Sequence, residues 1–147
     1  MTLQMMRRIG VLAVLVTGAV HLQQYLGDYH SIPTIGPLFL LNAIGSAVVV
    51  VGLLLPVERW FAARRGEIVV GMLALGGVAI GLGALISLYI AETGTLFGFS
   101  EGTLEPVMWI AIVSEIVAVL TLGPVTVTGL LQSVTARSTG GPRAVRP

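Results

Sequence analysis

Two side chains able to trade a proton, His21 and Glu115, stand inside long apolar runs of this chain. An ionised carboxylate near the centre of a bilayer costs ~2.5–3.5 kcal/mol or more on insertion scales, so Glu115, flanked by Ile112, Val113, Ile116 and Val117, needs a partner, a proton or water. An imidazole beside it answers both burial problems at once, and a carboxyl–imidazole pair is the chemistry of a proton relay. Counted from Tyr29, His21 lies about 12 Å deep, and counted from Pro106, Glu115 lies about 13–14 Å deep, at ~1.5 Å per helical residue. Both therefore fall in one layer, measured from one face.

Further polar groups share that layer. His21, Gln24, Tyr25 and Asp28 follow i, i+3, i+4, i+7 spacing, one face of one helix. Asn42 begins about 8 Å inside the second apolar run, Ser46 is one turn deeper, and Ser87 and Ser114 bring hydroxyls from the third and fourth runs. These nine residues are the candidate ligand-binding or proton-relay set. Each has a plainer reading: a lone Asn or Ser in a membrane helix ordinarily satisfies a neighbour's backbone, and His21 with Glu115 would serve equally as structural glue. The route past Val49, Leu53, Leu120 and Leu122 is aliphatic, which argues for a cavity open near one face and against a continuous water pore.

Other chemistries find little support. The second histidine, His30, falls in the loop from Gly27 to Gly36, and with two histidines and no cysteine a transition-metal site is weakly founded. Haem held by two histidines needs a second one on a facing helix, and Met72 and Met108 read as packing residues. No disulfide or thiolate relay can form. Walker and HExxH patterns are missing, as is a GxGxxG at a strand–helix junction, so the first reading is non-enzymatic.

The elements that must hold these groups are four apolar runs, each near the 20 residues that a bilayer core demands. They predict an all-α polytopic membrane protein, a four-helix bundle over 1–134 with helices at about 9–29, 37–56, 67–91 and 106–131. Pro37 and Pro106 suit first helical turns, Pro56 ends the second helix, and Pro124 should kink or shorten the fourth. The stretch 57–67 reads as a short connection anchored by Trp60 and Phe61. The loop from Glu92 to Glu101, glycine-rich with Phe97 and Phe99, reads as a lid over the polar layer, while Glu101 and Glu105 suit a helix N-terminus. The Gly/Pro/Ser/Arg tail, 135–147, reads as disordered. Gly77 and Gly81 form a GxxxG pair, with Ala43/Ala47 and Ser114/Ala118 at the same spacing, and packing within the bundle is the favoured use.

All eight basic residues are arginines: Arg7 and Arg8 precede the first run, Arg59, Arg64 and Arg65 separate the second from the third, and Arg137, Arg143 and Arg146 follow the fourth. The other two gaps carry only Asp28, Glu92, Glu101 and Glu105. Short arginine-rich segments stay in the cytoplasm, so both termini face inside. A signal peptide cleaved after Ala19 is the rival for the first run; retention keeps the alternation even. Only 10% of residues are charged, far from a soluble domain, and scattered arginines make no nucleic-acid footprint. Arginine without lysine, with abundant Ala, Gly and Val, fits a GC-rich bacterial source, hence a multi-pass protein of the bacterial plasma membrane.

The stretches His21-Leu-Gln-Gln-Tyr25 and Ile32-Pro-Thr-Ile-Gly-Pro-Leu-Phe-Leu-Leu-Asn42 resemble a pattern in small four-helix membrane proteins of actinobacteria. The size and four-helix layout are similar to the DoxX-like group. That group includes membrane partners of quinone-linked or thiol-protective redox systems, so the resemblance implies a redox association and carries over no catalytic residue. Three expectations follow. The first is a polar outward-facing site that binds a small amphipathic ligand, a quinone or a lipid, or an accessory subunit of a larger membrane complex or homo-oligomer. The others are a quinone-linked redox subunit with a His21/Glu115 relay and a small proton-coupled transporter.

Overall fold

The computed structural model describes residues 1–60, 63–102 and 105–138. Long apolar runs without water to solvate their backbone satisfy it internally, and a helix does so within one segment. Five helices result: α1 (Leu3–Leu26), α2 (Ile35–Leu54), the single-turn α3 (Val57–Trp60), α4 (Ala63–Thr93) and α5 (Pro106–Ser138). Four of them, α1, α2, α4 and α5, contain stretches long and apolar enough to cross a membrane. No strand forms among the described residues; one isolated bridge joins Leu96 and Phe99.

Several boundaries depart from the sequence expectation, each for a local reason. α1 begins at Leu3, ahead of Arg7 and Arg8, because Thr2 caps it: its hydroxyl accepts the Met5 amide at 3.2 Å. It ends at Leu26, with Gly27 as C-cap, so Tyr29 lies beyond it in a 3₁₀ turn, Tyr29–Ser31. α2 starts two residues before Pro37, after Thr34, which adopts a left-handed φ of 68°. Such a conformation is costly for a β-branched residue and turns the chain abruptly into the helix. The 57–67 connection is mostly helical, and Trp60 is exposed there; Phe61 lies outside the described residues. Pro124 does not end α5, which continues to Ser138, four residues into the stretch expected as tail; 139–147 lie outside the described residues.

The helices form a ring in which α1 lies between α2 and α5, and α4 lies between α5 and α2. Its core is Val14, Val49, Leu53, Ala74, Ala118 and Leu122, with Ala74 and Leu122 fully buried. Leu120 faces outward instead, 66% exposed. Small residues set the spacing. A Cβ on Gly129 would stand 2.8 Å from the Glu67 carbonyl and 2.9 Å from Gly71 Cα, so α4 and α5 touch backbone to backbone there. Gly77 meets Leu122 and Val14, and Gly81 meets the Glu115 carbonyl, which places the GxxxG pair inside the bundle. At the same end as the arginines, Arg7 Nε donates to the Leu53 carbonyl at 3.1 Å, joined by Nη2, and so closes the C-terminus of α2. Outside this core the surface carries Leu12, Leu41, Val48, Ile86 and Val113, all exposed. A contiguous apolar exterior of this kind is unfavourable in water and matches hydrocarbon.

Candidate functional site

The site sits at the end of the bundle that carries residues 27–34 and 94–102, here the loop end. α1 presents His21 and Gln24, α2 Phe39 and Asn42, α4 Ser87, and α5 Glu115, around a cavity of about 430 Å³. Aliphatic side chains and the small residues Gly83, Ala84 and Ala111 make up most of its remaining wall.

His21 and Glu115 do meet. His21 Nε2 and Glu115 Oε1 are 3.8 Å apart, and the two residues are 9% and 2% exposed. That distance permits electrostatic attraction but exceeds a direct hydrogen bond. The imidazole is oriented from its other side: Nδ1 lies 2.9 Å from the Thr17 carbonyl, and a carbonyl can only accept, so Nδ1 carries the hydrogen. Nε2 is thereby aimed at the carboxyl, and both groups border the cavity. One turn above, the amide nitrogen Nε2 of Gln24 is buried without a hydrogen-bond partner among the described residues. Such an orphaned donor costs about 1–3 kcal/mol, and here it lines a space where an acceptor would satisfy it.

Of the nine expected residues, five line the cavity: His21, Gln24, Asn42, Ser87 and Glu115. Ser114 does not; its hydroxyl donates to the Ala111 carbonyl at 2.8 Å and pairs with Thr17 Oγ1 at 2.9 Å, holding α5 against α1. Ser46 is also buried in a helix contact, its hydroxyl 3.4 Å from Asn42 Oδ1 and its Cβ where a side chain on Gly18 would sit. Tyr25 turns away to an edge-on contact with His30, ring centres 6.4 Å apart. Asp28 falls beyond the end of α1, exposed, so the expected four-residue helical stripe stops before reaching it. His30 is exposed, with Nδ1 2.8 Å from the Gly27 carbonyl.

Phe39 and Tyr29 escaped the sequence reading as site residues, whereas Phe99 and Glu101 belong to the loop expected as a lid. Phe39 lies beside His21, ring centres 5.0 Å apart, and stacks on Tyr29 at 4.6 Å; Phe99 meets Tyr29 edge-on at 5.8 Å. This aromatic chain fills the loop end of the cavity. The Tyr29 hydroxyl donates to Glu101 Oε2 at 2.8 Å, so Glu101, expected at a helix N-terminus, instead ties the 94–102 loop to the 3₁₀ turn. Burial first, and then that hydrogen bond, raise the Tyr29 hydroxyl above the ordinary tyrosine range, which keeps it protonated and donating. The loop folds inward as a lid because Leu96 and Phe99 exchange both backbone hydrogen bonds, at 2.7 and 2.9 Å, across a two-residue turn. Phe97 and Gly98 take the positive φ values, 52° and 82°, that such a turn requires. Phe97 is thrown outward at the tip, while Leu96 and Phe99 face the cavity.

No family model matches the chain, and no curated protein or solved structure does so either.

Proposed function

We propose that this is a multi-pass protein of the bacterial plasma membrane, with both termini cytoplasmic, that binds one small amphipathic molecule in the His21/Glu115 cavity. The observation that carries this reading is a space of about 430 Å³ with mainly apolar walls and a few convergent polar groups, one of them the orphaned Gln24 amide. Ligand sites of small molecules have this size and this mixture. Two carboxyl groups, Glu101 and Glu115, line the space and no arginine among the described residues does, so an uncharged head group fits better than an anionic one. A quinone or a neutral lipid meets that description, its carbonyl or hydroxyl accepting from Gln24 and its tail lying along the aliphatic wall.

The test is purification in mild detergent, followed by an absorbance spectrum and mass spectrometry of the organic extract. One amphipath should accompany the wild-type protein and be lost from His21→Ala and Gln24→Ala. A protein that carries no small molecule, and stays empty when challenged with quinones and neutral lipids, overturns the reading. In that case a co-purifying subunit would point to an accessory role.

A second reading, a quinone-linked redox subunit, is favoured by one specific feature: the imidazole and the carboxyl border the same cavity, where a bound quinone could take up or release protons. The resemblance to DoxX-like proteins points the same way. This reading requires a quinone in the extract and a reductant-dependent change in its spectrum that Glu115→Gln slows.

A further inference from the structure

We propose that the cavity is loaded sideways from the membrane, through the gap between α2 and α4, and that Gly83 keeps this gap open. The inference rests on the ligand-binding reading above and adds the route.

Exposure along the cavity wall is uneven. Among the described residues that line it, four are exposed: Leu38 and Leu41 on α2, Ala79 and Gly83 on α4. All four belong to helix stretches long and apolar enough to cross a membrane. At the loop end, by contrast, Tyr29 is 8% exposed, stacked on Phe39, met edge-on by Phe99 and tied to Glu101, and Leu96 closes in beside them. In place of the expected cavity open to, or near, the external face, the proposed one is plugged at the loop end and open along the helices.

Gly83 stands at the mouth. Elsewhere on α4 the glycines are filled from across the bundle: a Cβ on Gly77 would meet Leu122, and one on Gly81 would meet Glu115 and Val119. A Cβ on Gly83 would meet nothing within 4 Å. The missing side chain is therefore not needed for helix packing, and its absence leaves the passage between α2 and α4 free. An amphipath dissolved in the bilayer already has its tail at this depth. Its head needs only to slip past Leu38 and Leu41 to reach Gln24 and His21, and never crosses water.

The experiment uses the full-length protein in phosphatidylcholine vesicles containing a diazirine-tagged hexadecanol, a single-tailed probe with an uncharged head. After brief illumination at successive times, the labelled peptides are mapped. In wild-type protein the label should accumulate on the stretches that line the cavity, 20–42, 79–91 and 108–115. Gly83→Phe and Leu41→Trp, which narrow the gap from opposite sides, should slow that labelling severalfold, while Met72→Phe, an equally bulky change at an exposed site on α4, should not. Thermal unfolding of each variant guards against misfolding, and Gly83→Phe has open space to occupy. Unchanged labelling kinetics in both gap variants would overturn lateral loading and leave the binding reading intact. If wild-type protein takes no label inside the cavity, the binding reading falls, and the route with it.

Discussion

Glu115 is 2% exposed and has aliphatic residues on both sides in the chain, so its carboxyl must be answered locally or it destabilises the fold. The nearest answer is the His21 imidazole at 3.8 Å, set by the Thr17 carbonyl behind it. Glu115→Gln keeps the volume and the polar atoms while removing the proton-exchanging group. It should shift stability by no more than about 1 kcal/mol, within the range of a single hydrogen bond, yet weaken ligand binding by about tenfold. Thermal unfolding and titration with the ligand identified by mass spectrometry separate the two effects; a large stability loss with unaltered affinity would make the pair structural glue. Tyr29 offers a second test at this scale. Its hydroxyl pKa is raised in the folded protein above the ordinary value of 10.0, so its contribution to stability is complete below that pH and declines as pH climbs past it toward the folded value. Wild-type protein should lose stability above pH ~10 more steeply than Tyr29→Phe, which at neutral pH is itself weaker by about 1 kcal/mol for the lost bond to Glu101. Parallel alkaline profiles for the two proteins would show that this hydroxyl contributes nothing.

Among the helices, α4 and α5 are held by the absence of side chains. Gly129→Ala would push a methyl group against the Glu67 carbonyl and Gly71 Cα, backbone atoms that cannot swing aside, and should cost about 1–3 kcal/mol. Gly83→Ala meets nothing and should be neutral or slightly stabilising through helix propensity, worth up to ~1 kcal/mol. Unfolding of the two variants in the same detergent checks the contrast, and equal losses would contradict it. The same elements show how far the sequence could be read. Depth counting put His21 and Glu115 at one level although α1 stops at Leu26, because its two starting points meet in space: Tyr29 bonds to Glu101 and packs against Met108. A fixed rise per residue does the rest. Which way a side chain points was not legible. Outside the polar stripe of α1 these helices are apolar nearly all round, so periodicity gives little inward direction, and Ser46 and Ser114 went to helix contacts while Ser87 and Asn42 went to the cavity. Nor did spacing reveal the aromatic plug, since Phe39 reads as one more apolar residue until Tyr29 is brought over it by the 3₁₀ turn.

At the scale of the whole molecule, charge and aromatic residues divide the bundle into two unlike ends. Arg7 and Arg8 on α1, Arg59 on α3, Arg64 and Arg65 at the start of α4 and Arg137 near the end of α5 gather at one end, with Trp60 exposed among them. The loop end has Asp28, Glu92, Glu101 and Glu105 and no arginine, and Tyr89, Phe97 and Trp109 are exposed around it. Exposed aromatic residues at both ends of a long apolar bundle fit the two interfaces of a bilayer, and the proposed topology takes the arginine end as the cytoplasmic one. The site would then lie beneath the external interface, plugged on the water side. The chain has no native cysteine, so single-cysteine variants report their own location without background. Ser100→Cys, in the exposed part of the 94–102 loop, should react with a membrane-impermeant maleimide on intact cells. The matching probe at the arginine end is Arg65→Cys, exposed at the start of α4, which on the proposed topology should react only after permeabilisation. Reaction of Arg65→Cys on intact cells with protection of Ser100→Cys would invert the topology and place the cavity beneath the cytoplasmic leaflet. Because Arg65 belongs to the charge cluster on which the proposed orientation rests, the reading gains strength when Ser100→Cys alone, with all eight arginines present, labels from outside.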